Sequence, residues 1–135
     1  MYLFRKHPYV KYINGLIKKV KDLHSYDDLS TALDELRLAI EKLHTISLRQ
    51  GELKKSITTA QQNQKSLIRL AHGAGPHAQN FRQELEDSKT KLDNYSRQLK
   101  SLNEDAKAIT KKFGSLDSML DTQRKIEAAL QKYSP

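Results

Sequence analysis

From Phe81 to Phe113 the apolar side chains return at alternating steps of four and three for more than four heptads without a break. Leu85, Leu92, Leu99, Ala106 and Phe113 hold one heptad position, and Phe81, Ser88, Tyr95, Leu102 and Ile109 hold the other. A strand alternates with period two, so only a helix gathers these residues on one side. A stripe so narrow and so long requires a second helix along it. Leu29, Leu33, Leu36, Ile40 and Leu43 trace a seam with the same steps, and after a phase jump at Ile46 it runs on through Leu53, Ile57, Ala60 and Leu67. Such a jump is a stammer, a local overwinding of a coiled coil, and Gly51 lies close to it. The run Thr58–Gln64 is polar on nearly every side and predicts a helix weakly held.

Between the two seams stands Gly73-Ala74-Gly75-Pro76. Gly73 suits the left-handed conformation that ends a helix, and Pro76 suits the first turn of the next. A loop this short makes its flanking helices antiparallel neighbours. The reading is a hairpin of helices over about 27–72 and 77–113, turning at 73–76. Ser25 or Asp27 is the expected cap of the first of these.

Two shorter helices flank the hairpin. Pro8 suits a first turn, after which Tyr9, Ile13, Leu16, Val20 and Leu23 recur at helical spacing, predicting a helix over about 8–24. Gly114-Ser115 interrupts the third helix, with Ser115 a natural cap. Leu116, Met119, Leu120, Ile126 and Leu130 then mark a helix over about 115–133. The fold expected is all-α: an elongated antiparallel helical hairpin or coiled coil, with the terminal helices completing a three- to four-helix bundle. All 135 residues are expected to form one helical domain.

Composition closes several functional routes. There is no Cys, which removes disulfides, thiolate catalysis and Cys-based zinc sites. No apolar run approaches the ~20 residues of a membrane span, and the first residues lack the apolar stretch of a signal peptide. Residence in the cytoplasm, or delivery to a host cell, is the expectation. The histidines of His72-Gly73-Ala74-Gly75-Pro76-His77 have no Asp, Glu or Cys within six residues, so no metal is expected there. The same glycines lack the Lys-Ser or Lys-Thr pair of a phosphate loop. Glu84 and Asp87 share a helix face, but a solvated face is their expected fate. His44, on a helical bundle, invites comparison with histidine phosphotransfer domains. That family places a Lys and a small residue three and four places on, where this chain has Ser47 and Leu48. The reading is therefore disfavoured. No catalytic, cofactor-binding or metal-binding residue is expected, and no enzymatic activity.

Net charge is +8, and the excess sits at the start. Within residues 1–24, Arg5, Lys6, Lys11, Lys18, Lys19 and Lys21 face only Asp22, while the rest of the chain is nearly balanced. With Tyr9 and Tyr12 these cations form the first candidate contact surface, for an acidic protein or an anionic membrane. The plainer reading is that the apolar arc closes the bundle and the lysines keep its outside solvated. Nucleic acid is disfavoured, since a nucleic-acid binder spreads its positive surface further. The second candidate surface is the hairpin tip, with Arg69, His72, His77, Asn80 and Arg82. The function expected is a non-enzymatic protein-interaction module, such as an adaptor, chaperone, inhibitor or assembly subunit. Peripheral membrane association through the first helix is the alternative, and the long seam is also compatible with a homodimer.

Overall fold

The computed structural model describes residues 7–19, 23–73, 75 and 77–133, apart from the side chains of Leu23 and Tyr133. Four helices occupy them: α1 (Pro8–Lys18), α2 (Leu23–Ala71), α3 (Ala78–Phe113) and α4 (Leu116–Tyr133). The described residues contain no strand. The chain is all-α and its helices pack as a bundle. Contacts divide it into two units. One comprises residues 1–45 and 105–135, the other residues 46–104, so α2 and α3 each contribute to both.

The first unit is a four-helix bundle with a continuous core. Ile13 of α1, Leu29 and Leu36 of α2, and Met119 and Ile126 of α4 are almost completely buried. Phe113 closes the layer from α3. Each fully buried aliphatic side chain contributes roughly 1.5–3 kcal/mol, so these few residues dominate the stability of this unit. Tyr9 meets Phe113 edge to face with ring centroids 4.8 Å apart. Thr122 is buried too, its hydroxyl donating to the Ser118 carbonyl 2.8 Å away.

The second unit is an antiparallel hairpin. Every position of α3 from Phe81 to Leu102 that is not exposed belongs to the heptad stripe. Facing it, α2 presents Ile46, Gln50, Leu53, Ile57, Ala60, Gln64, Leu67 and Ala71 at alternating steps of four and three. In a two-helix seam a side chain has a partner on one side only, so most of these remain half-buried. Leu53, Ala71 and Ala78 are the fully covered exceptions. The steps along α2 show the stammer, with Ile40, Leu43 and Ile46 turning inward at successive intervals of three, at the border of the two units.

Several boundaries differ from the sequence-based expectation. The first helix ends at Lys18, not near 24, because the last turn tightens and Lys19 donates its N–H to the Leu16 carbonyl at 3.2 Å. Val20 and Lys21 lie outside the described residues. The second helix begins at Leu23, so Ser25 and Asp27 fall inside its first turns rather than before it. Asp28 there lies 3.6 Å from His24, one turn earlier.

The two glycine breaks also exchange roles. Gly73 does not take a left-handed conformation; its N–H bonds to the Leu70 carbonyl at 3.2 Å in a tight final turn. Among the described residues the glycine at positive φ is Gly114, at +97°, between α3 and α4. A side chain at Gly73 would instead meet the Leu70 carbonyl at 3.2 Å. Pro76 lies outside the described residues. Ser115 caps α4 as expected, its Oγ accepting from the Ser118 N–H at 3.2 Å.

Candidate functional site

The arc of α1 that carries the aromatic and basic candidates is largely committed to the bundle. Ile13 is fully buried, and Tyr9, Leu16 and Ile17 pack on the core. Lys11, Lys18 and Lys19 are exposed, and Tyr12 stands 58% exposed. Arg5, Lys6 and Lys21 lie outside the described residues. The start of α1 is held by His7, whose Nδ1 accepts from the Tyr9 N–H at 3.1 Å. Its Nε2 lies 2.9 Å from the Lys111 carbonyl at the end of α3. One neutral tautomer satisfies both contacts, so His7 caps α1 and ties it to a carbonyl that α3 leaves free. A histidine before a proline carries no capping signature, and sequence reasoning missed it.

Next to this junction an open groove of about 410 Å³ runs between α2 and α3 of the first unit. Its apolar lining is Leu38, Ala39, Ala108, Ile109 and Phe113, and its rim carries Glu35, Lys42 and Lys112. Leu38 lies off the seam and is 53% exposed. The Lys112 ammonium sits 5.1 Å from the Phe113 ring centre, a cation–π distance. Neither Lys42 nor Lys112 makes an ion pair among the described residues.

Tyr9 borders the groove through Phe113, and its hydroxyl is buried without a hydrogen-bond partner among the described residues. Burial, helped by the nearby Glu35 charge and Tyr12, pushes its pKa from the ordinary value near 10 up to about 12.

A second groove, of about 390 Å³, lies between α2 and α4, with Ile40, His44, Leu116 and Leu120 among its lining. Of its two charged lining residues, Arg37 is already paired and Glu41 is exposed. Arg37 meets Glu127 at 3.2 Å, and hydrogen bonds from Gln123 and Arg37 hold the Glu127 carboxyl below its usual range. The exposed His44 lines this groove and makes no ion pair among the described residues.

The hairpin tip belongs to the second unit. Arg69, His72, His77, Asn80 and Arg82 are all exposed there. Ile68 and Leu70 join them at 41% and 47% exposure, whereas Ala71 and Ala78 are buried. Ile68 and Leu70 fall off the seam that runs through Gln64, Leu67 and Ala71, so they stay exposed while Ala71 is covered. One further feature was legible in the sequence but masked by averaging over whole segments. Between Glu52 and Glu84 the chain holds no acidic residue, against Lys54, Lys55, Lys65, Arg69 and Arg82.

Among the described residues, no group of three His, Asp or Glu side chains could hold a metal ion. None of the described helices is long and apolar enough to cross a membrane. No protein-family model matches the chain, and neither the curated proteins nor the solved structures contain a significant match.

Proposed function

We propose that the chain is a non-enzymatic protein-binding module that takes one amphipathic helix of a partner in the groove between α2 and α3. The observation that carries this reading is the juxtaposition of exposed Leu38 with Ala108, Ile109 and Phe113 under two lysines that have no carboxylate partner among the described residues. A helix in a groove binds through apolar anchors at i and i+3 or i+4, and charges at the rim fix its direction. The occupant is thus a helix with a Leu- or Phe-bearing face and acidic residues beside it, set against Lys42 and Lys112.

Peripheral membrane association through α1 has weaker support. Its apolar arc is packed inward, leaving the lysines and Tyr12 as the described contact groups.

A photo-crosslinking residue at position 38 in the source cells, compared with one at Leu48, tests the proposal. Leu48 is 59% exposed but lies outside the groove. One protein crosslinking from position 38 and not from 48, through an acidic amphipathic helix, is the expected result. Affinity for that helix should fall at least tenfold on combining Lys42→Glu with Lys112→Glu, with the circular dichroism spectrum unchanged. Equal crosslinking at both positions, or no response to charge reversal, overturns the proposal.

A further inference from the structure

We propose that the hairpin turn of the second unit is a contact site for an anionic lipid surface, independent of the groove described above. Three observations meet there. Lys65, Arg69 and Arg82 lie within about two helical turns of the bend, inside the acid-free stretch between Glu52 and Glu84. Ile68 and Leu70 alternate with these cations and are exposed rather than packed into the seam. The exposed imidazoles of His72 and His77 flank the bend itself.

The charge pattern requires an anionic occupant. The aliphatic pair selects among anionic occupants, because the phosphates of a nucleic acid offer nothing to Ile68 and Leu70, whereas a lipid interface takes up apolar side chains beneath its head groups. The shape of the site selects as well. A partner helix needs a concave groove, and Ile68, Arg69, Leu70 and Arg82 line neither of two grooves in this unit: one is lined by Ala60, Leu67 and Ser88, the other by Lys55, Thr59 and Tyr95. A soft, laterally continuous lipid surface needs no groove and takes up side chains exposed beside a bend. In the bound state the three cations sit at head-group phosphates and Ile68 and Leu70 enter the interface. No helix crosses the bilayer.

Each cation near an anionic leaflet contributes about five-fold to partitioning, so three contribute roughly a hundred-fold, reduced by salt. The test is sedimentation of the full chain with phosphatidylcholine vesicles made with and without phosphatidylserine, at low and high salt. The expected result is binding that requires phosphatidylserine and weakens with salt. It should fall about a hundred-fold on combining Lys65→Gln, Arg69→Gln and Arg82→Gln, while Lys11→Gln with Lys18→Gln and Lys19→Gln leaves it unchanged. The chain has no tryptophan, so Leu70→Trp supplies a clean reporter whose emission should shift to the blue on adding these vesicles. The proposal is overturned if anionic vesicles do not bind, if binding follows the α1 lysines instead, or if the emission of the Leu70→Trp variant does not move. It is also overturned if an oligonucleotide binds as tightly and Ile68→Ser with Leu70→Ser changes neither affinity. Both sets of changes avoid the groove between α2 and α3, so each proposal can fail alone.

Discussion

The two units use the same two helices and the same heptad spacing, yet they bury their side chains to different depths. In the first unit α1 and α4 roof the α2–α3 seam, and Leu29, Leu36, Met119 and Ile126 lose essentially all contact with water. In the second unit no third described helix covers the seam, and Leu85, Leu92, Leu99 and Leu102 stay half-buried. Spacing decides which residues face inward; the number of surrounding helices decides how much free energy that facing releases. The second unit compensates with polar links that set its register. Arg49 donates to Gln98 at 3.0 Å, and the seam residue Gln50 donates to Asn103 at 2.7 Å.

The strongest way to break this comparison is to cut the same side chain from each unit. Leu36→Ala leaves a cavity enclosed on all sides and is expected to cost about 2–5 kcal/mol. Leu92→Ala opens onto water, and the loss is expected to be about 1–2 kcal/mol. Urea unfolding followed by circular dichroism measures both, and hydrogen exchange should show earlier opening of amides in 46–104. Equal losses would mean that the second unit has a roof of its own, such as a second copy of the chain.

The glycine breaks give the next, smaller contrast. Gly114→Ala forces an L-residue to φ near +97° and is expected to cost about 1–3 kcal/mol. At Gly73 the backbone is unstrained and an added methyl group meets one carbonyl at 3.2 Å. Gly73→Ala is therefore expected to cost less than about 1 kcal/mol. Thermal denaturation of the two variants side by side decides it; a larger loss at Gly73 would return the strained turn to the hairpin bend.

Much of this architecture is legible in the residues. Apolar periodicity is a property of neighbours along one helix, and the stripe from Phe81 to Phe113 names the inward face of α3 position by position. The stammer at Ile46 likewise marks where the units divide. What periodicity does not report is contact between residues far apart in the chain. His7 meets Lys111 across more than a hundred positions, and no local rule anticipates a histidine joining two helix ends. Gln50 and Gln64 occupy seam positions that a count of apolar residues skips. The groove could have been suspected from Leu38, a leucine off the stripe, but its floor depends on Ala108 lying opposite. The polar residues of the tip are readable as a surface from their types alone. Its aliphatic component was missed, although Ile68 and Leu70 fall off the stripe that runs through Leu67 and are exposed for that reason.

The finest contrast concerns polar groups inside each apolar layer. The second unit pairs the seam amide of Gln50, whereas the first leaves the Tyr9 hydroxyl buried and without a partner among the described residues. Removing an unsatisfied group sacrifices no hydrogen bond, so Tyr9→Phe is expected to keep or raise stability at neutral pH by up to about 1 kcal/mol. The contrast sharpens in alkali. The folded protein holds the Tyr9 proton up to a pKa of about 12, while the unfolded chain releases it near 10. Below pH 10 both states keep the proton and the advantage of the neutral hydroxyl is fully present. Between pH 10 and 12 only the unfolded state ionises, so stability drains away as pH rises. The comparison with Tyr9→Phe isolates this one group: the variant should lose less stability than the parent over that interval. Parallel curves would mean that Tyr9 is solvated in the native state, and that the two units satisfy their polar groups alike after all.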